Sequence, residues 1–192
     1  MKKLSLVLLI LVIVMMDHVY AQPTDKKNIA GIGVSYFPYM SKGIYFDSPF
    51  DFWPNNEPSA ITRIFYARQM NESFRLGAYL ESGSNRFTDQ TNENAHSFNR
   101  SLLGLEWISE YPKTRLHLEL GGYFGYGLIK ASHWNDLHGV DFGMLAGPAF
   151  DMKYFGVSVN LKAGFSPYKS KGTPEGILLY TPGVLFKVYG KF

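Results

Sequence analysis

The chain contains no cysteine. That excludes disulfides, thiolate metal sites, a catalytic thiol, and the anchor that lipoproteins carry on a cysteine beside their cleavage site. One-sided charge is lacking as well. The formal net charge is +3, and Lys2, Lys3 and Asp17 in the N-terminal segment account for one unit of it. So slight an excess speaks against a nucleic-acid partner, which calls for a strongly basic face. After residue 21 no apolar run approaches the ~20 residues that a membrane-spanning helix needs. No longer repeat and no shift in composition marks a second domain.

What the chain does have is aromatic side chains, 16% of its residues, together with 19 glycines. Mean hydropathy is nevertheless close to zero. That combination is odd for a soluble domain. It is what strands give when their side chains alternate between lipid and lumen, because each strand then averages to near neutrality. The segment MKKLSLVLLILVIVMMDHVYAQ sets Lys2 and Lys3 before an apolar run from Leu4 to Met16 and places Ala21 before Gln22, the layout of a secretory signal peptide. The expected organisation is a signal peptide over 1–21 and one exported domain over 22–192.

Within that domain, apolar and polar residues alternate with the period of two that marks strands. Eight such stretches are expected, near 28–36, 59–70, 74–82, 96–109, 115–130, 140–150, 155–165 and 178–192. In the last, Tyr180, Val184, Phe186, Val188 and Phe192 fall on one side and Lys187, Tyr189 and Lys191 on the other. Long connections (38–58, 83–93, 131–139, 166–176) alternate with short ones (71–73, 111–114, 151–154). This is the layout of an up-and-down barrel with both termini on the short-turn, periplasmic side. Pro148 and Pro182 lack the N–H that a ladder needs, so bulges or strand ends are expected there.

Alternation alone does not say which face is inside. Glycines such as Gly33, Gly77, Gly104, Gly143 and Gly164 fall on the polar face, and a narrow lumen needs small residues beside large ones. Aromatics gather at strand ends, as at Tyr36, Tyr66, Trp107, Tyr111, Tyr154 and Phe165, as interfacial girdles do. Both features argue against a soluble barrel of the lipocalin type, with its apolar face inward. The reading is an all-β, eight-stranded antiparallel up-and-down transmembrane β-barrel.

On these residues the chain resembles the small eight-stranded bacterial outer-membrane β-barrels, the OmpA-like, OmpX-like and PorT-like proteins. The resemblance implies residence in the cell outer membrane and contact with its lipid. It also implies a barrel-assembly machinery that recognises the closing strand through Phe186, Val188 and Phe192, and it implies no cofactor. The expected role is non-enzymatic: structural, or an interaction through the extracellular loops with another outer-membrane or surface protein, including as companion of a larger complex. Two alternatives accompany it, a lipid A deacylase or acyltransferase and a small-solute channel.

The expected lumen carries Arg63, Arg75, Arg100, Arg115, Lys162 and Lys187 against Glu81, Glu106, Glu119 and Asp141, a plug of ion pairs in which cations outnumber anions. Arg75, Glu106, Arg115 and Glu119 are expected to meet near the periplasmic end, with Lys187 in the same ion-pair plug. In the first loop, Tyr45, Phe46, Phe50, Phe52 and Trp53 are large apolar groups interleaved with Asp47 and Asp51, which should bury themselves over the barrel mouth or on a partner. No catalytic residue is assigned, because no histidine here has a serine two positions on, as the deacylases of this type do. His133, Asp136 and His138 form only a weak loop cluster for a metal, and none is assigned.

Overall fold

A computed structural model of the protein describes residues 27–37, 41–44, 51–52, 59–88, 95–112, 114–131, 136–170 and 176–192. The described chain is built of strands: β1 (Asn28–Phe37), β2 (Ser41–Ile44), β3 (Asp51–Phe52), β4 (Ser59–Asn71), β5 (Phe74–Thr88), β6 (Ala95–Tyr111), β7 (Leu116–Ala131), β8 (Leu137–Asp151), β9 (Phe155–Ser170), β10 (Gly176–Tyr180) and β11 (Gly183–Lys191). Each pairs antiparallel with its neighbours. From β1 the sheet runs through β4 to β9 in chain order, and β11 then pairs with both β9 and β1. The sheet closes on itself. Since β2 prolongs β1 and β10 prolongs β11, the wall has eight staves, and closure removes the free edges on which open sheets aggregate.

The seam is made by the two ends of the domain. The Asn28 N–H donates to the Phe192 carbonyl at 3.0 Å, and the Phe192 N–H returns a bond to Asn28 at 2.9 Å. In the first short turn the Ser73 N–H donates to the Asn71 side-chain oxygen at 2.9 Å, next to a register shift between Gln69 and Asn71. An Asn side chain that mimics a backbone turn in this way is a frequent means of reversing a chain tightly.

Side chains alternate across the wall as the period of two requires, with inverted polarity. Ile32, Ile64, Leu80, Leu103, Leu105, Phe124, Met144, Leu161, Phe186 and Val188 are exposed on the outside. Arg63, Arg75, Glu81, Arg100, Glu106, Glu119, Asp141, Lys162 and Lys187 are buried inside. On β4, where two facings compete in the sequence, Thr62, Ile64 and Tyr66 point out and Arg63 points in. Tyr36, Tyr66, Trp107, Tyr111, Tyr154, Phe155 and Phe165 are exposed toward the strand ends, where girdles belong.

Several strands outrun their expected limits. β5 reaches Thr88, β6 starts at Ala95 and β9 reaches Ser170; the longer of these added ends, 83–88 and 166–170, are mostly polar, so they lack the alternation that betrays the rest. The connection 38–58, expected as one loop, contains β2 and β3. β2 pairs with β10 and β3 with β2, so this part of the chain raises the wall. The closing strand is interrupted at Thr181 and Pro182, as the proline requires. Pro148 corrects the other expectation: β8 runs through it, pairing it with Leu118. On its β9 side the ladder skips Gly147 and Pro148 and resumes at Ala149 in the same register. One missing donor is tolerated there without a bulge or strand end.

Candidate functional site

The inward face gathers its charges into three storeys along the barrel axis. Nearest the long connections, Arg100 is paired with Asp141, whose other oxygen accepts from Ser166 Oγ at 2.6 Å. In the middle storey, Arg63 donates through Nε to Glu81 at 2.8 Å, through Nη2 to the same carboxylate at 2.5 Å, and through Nη1 to Glu106 at 2.6 Å. Lys162 Nζ reaches both Glu81 oxygens, at 2.9 and 3.2 Å. Rings cover these cations: Arg63 lies 3.8 Å from the Tyr79 ring centroid and Lys162 4.5 Å from that of Tyr123.

The lowest storey, at the short-turn end, is organised around Glu119. That carboxylate pairs with Arg75, lies 2.9 Å from Lys187 Nζ and accepts from Asn160 at 2.7 Å. Arg75 also reaches Glu110, at 3.0 Å. Glu110 and Glu119 stand directly opposite each other on β6 and β7, a like-charge pair that would be destabilising without a shared cation. Arg75 supplies that cation.

This changes the expected grouping. Arg75, Glu119 and Lys187 do meet. Glu106, however, belongs to the storey above, on Arg63. Arg115 is outside the plug: β7 begins one residue later, and Arg115 is half-buried in the preceding turn, where its carbonyl accepts from the Asp151 N–H at 2.7 Å. The residue not anticipated is Glu110, because strand four was expected to stop at Ser109. Continuing the inward series Glu106, Ile108 by one more step would have found it. With Glu110 in and Arg115 out, Arg63, Arg75, Arg100, Lys162 and Lys187 are matched in number by Glu81, Glu106, Glu110, Glu119 and Asp141. Among the described residues the plug is neutral, which is what a charge cluster removed from water requires.

Large rings fill the spaces between storeys: Tyr79, Tyr123, Tyr168 and Tyr189 are all buried. Glycines make room for them. A Cβ on Gly164 or Gly143 would run into the Tyr123 hydroxyl, and one on Gly104 would lie 2.6 Å from that of Tyr79. The lumen is therefore a packed interior rather than an open tube, as eight staves allow.

On the outer face, Phe186 and Val188 are exposed in mid-stave and Phe192 is exposed at the seam. Of the first-loop aromatics, Phe52 lies on β3, while Tyr45, Phe46, Phe50 and Trp53 lie outside the described residues. So do the expected signal peptide and His133. His138 is described, stacked on Tyr126 with ring centroids 6.5 Å apart.

No protein-family model matches the chain, and comparison with curated protein sequences gives no match. Solved structures do resemble it. Neisserial surface protein A superimposes with a TM-score of 0.58 at 11% identity, covering 86% of this chain and 97% of that one. The outer membrane protein OprG of Pseudomonas aeruginosa does so with a TM-score of 0.55 at 7% identity, covering 87% and 96%. At such identities the likeness is one of fold: this chain has the fold of the small outer-membrane β-barrels.

Proposed function

We propose that the protein is an integral, non-enzymatic outer-membrane β-barrel with a closed lumen, serving as a scaffold that presents its long-connection end to another outer-membrane or surface component. The observation that carries this reading is the inverted polarity of the wall. An apolar exterior of this extent would be insoluble in water and is matched by lipid, while the neutral ion-pair plug leaves little room for solute passage. The function is thereby shifted to the end where β2, β3, β5, β6 and β9 continue beyond the expected strand limits. Phe186, Val188 and Phe192 on the closing strand are suited to recognition by the assembly machinery of the outer membrane.

The membrane half of the proposal is tested by fractionation and gel migration. The protein should resist carbonate extraction and run faster unheated than boiled; release by carbonate would contradict it. The interaction half is tested by replacing Phe50, Phe52 and Trp53 together with Ala. The barrel should stay heat-modifiable while any co-purifying partner is lost. A protein that purifies alone from native membranes both before and after that change would remove the basis for a partner. Conductance steps in a planar bilayer would favour the channel, and an altered lipid A acyl pattern in cells making the protein would favour the enzyme.

A further inference from the structure

Among the described residues, one place gathers metal-ligating groups. A ring nitrogen of His117 and one carboxylate oxygen each from Glu110 and Glu119 all lie within 4.8 Å of one another, at the short-turn mouth of the lumen. Three features make this more than an acidic cluster. First, His117 is 5% exposed and its Nε2 has no hydrogen-bond partner in the protein, although it is buried. Second, its Nδ1 lies 3.2 Å from the Thr114 carbonyl. A backbone carbonyl on one ring nitrogen fixes the tautomer and leaves the other nitrogen's lone pair free, the usual arrangement of a metal-binding histidine. Third, the hold of Arg75 on Glu110 is loose: the two groups are 3.0 Å apart, yet Arg75 Nη1 and Glu110 Oε1 are not aligned as a hydrogen bond.

We propose that His117 Nε2, Glu110 and Glu119 form a binding site for a divalent first-row transition cation of the zinc type at this mouth. One imidazole and two carboxylates are a mixed nitrogen and oxygen donor set that suits such ions better than magnesium or calcium. Three atoms no more than 4.8 Å apart leave a point at most ~2.8 Å from each, against ~2.0–2.2 Å in a zinc site, so a contraction of no more than ~0.7 Å completes it. Glu110, whose side chain is 13% exposed, offers both the way in and the freedom to move. Arg75 and Lys187 already offset the two carboxylates, so binding rests on donor geometry, and the cation takes over from Arg75 at Glu110.

The test uses the folded protein in detergent micelles with Co²⁺ as a spectroscopic probe and Zn²⁺ as competitor. Wild-type protein should develop the visible d–d absorption of a low-coordinate site, saturating at one equivalent and abolished by Zn²⁺. His117→Ala and Glu110→Gln should each weaken binding by more than the ~10–100-fold that loss of an outer-shell partner costs, whereas His138→Ala should not alter it. If either variant fails to fold, Zn²⁺ added to wild-type protein should still shift the His117 ring resonances in an NMR spectrum. No binding by wild-type protein, binding that survives His117→Ala, or an unmoved His117 resonance would each overturn the proposal.

Discussion

The middle and lowest storeys of the lumen contain the same ingredients, two cations and two carboxylates each, but they are finished differently. In the middle storey Arg63 and Lys162 converge on Glu81 through aligned bonds, and rings lie 3.8 and 4.5 Å from these cations, closer than the 5.5 and 5.7 Å that separate Arg75 from Tyr189 and Lys187 from Phe65. In the lowest, Lys187 Nζ lies 2.9 Å from Glu119 and Arg75 Nη1 lies 3.0 Å from Glu110, yet neither contact is aligned as a hydrogen bond. The unpartnered His117 Nε2 is at the same level. Exposure separates them at one residue: the Glu110 side chain is 13% exposed, whereas those of Arg63, Lys162 and Glu81 are 0%. At mid-barrel a charge has no water to fall back on, so Arg63, Lys162 and Glu81 are held by aligned bonds, and among the described residues Glu106 Oε1 is the carboxylate oxygen of that storey left without a partner. At the mouth an imperfect cluster is tolerated, which leaves it free to bind something.

The largest effect is expected where the finished cluster is broken. Glu81→Ala removes the carboxylate that buried Arg63 and Lys162 share, leaving Glu106 on Arg63, and should cost about 3–5 kcal/mol, measured by denaturant unfolding from lipid vesicles. Next comes the outer face: Phe186→Lys places a charge against lipid and should cost about 2–4 kcal/mol if the residue lies near the midplane. A smaller value in the same assay would move Phe186 toward the interface. The smallest effect is expected for Glu110→Gln, about 1 kcal/mol or less, since the group is partly exposed and its pairing is loose. If Glu110→Gln and Glu81→Ala cost the same, the contrast between the two storeys is wrong.

Most of this fold was legible wherever a stave has lipid on one side and lumen on the other, because only there does burial impose a period of two. On β4 the charge of Arg63 sets the facing, because the apolar residues Ile61, Ile64 and Phe65 fall on both sides of the strand. Legibility fades where a stave leaves the apolar belt. There both faces are polar, so the added ends of β5 and β9 and the short β2 carry no alternation. The same fading at the short-turn end misplaced the plug by one residue on each of two strands, admitting Arg115 and omitting Glu110. Asn160, which holds Glu119 at 2.7 Å, depends on a contact between residues 41 apart in the chain, and the orphaned ring nitrogen of His117 on how its surroundings pack. No local pattern announces them.

The central claim is that the apolar face of this barrel meets lipid. Trp107 tests it directly, since its side chain is outward and 43% exposed, and packs over the bare Cα of Gly122. With Trp53 and Trp134 replaced by Phe, Trp107 should be the remaining tryptophan. In vesicles its fluorescence should be quenched by lipids brominated on their acyl chains and little affected by iodide in the water. Quenching by iodide with no effect of brominated lipid would place that face in water and contradict the account.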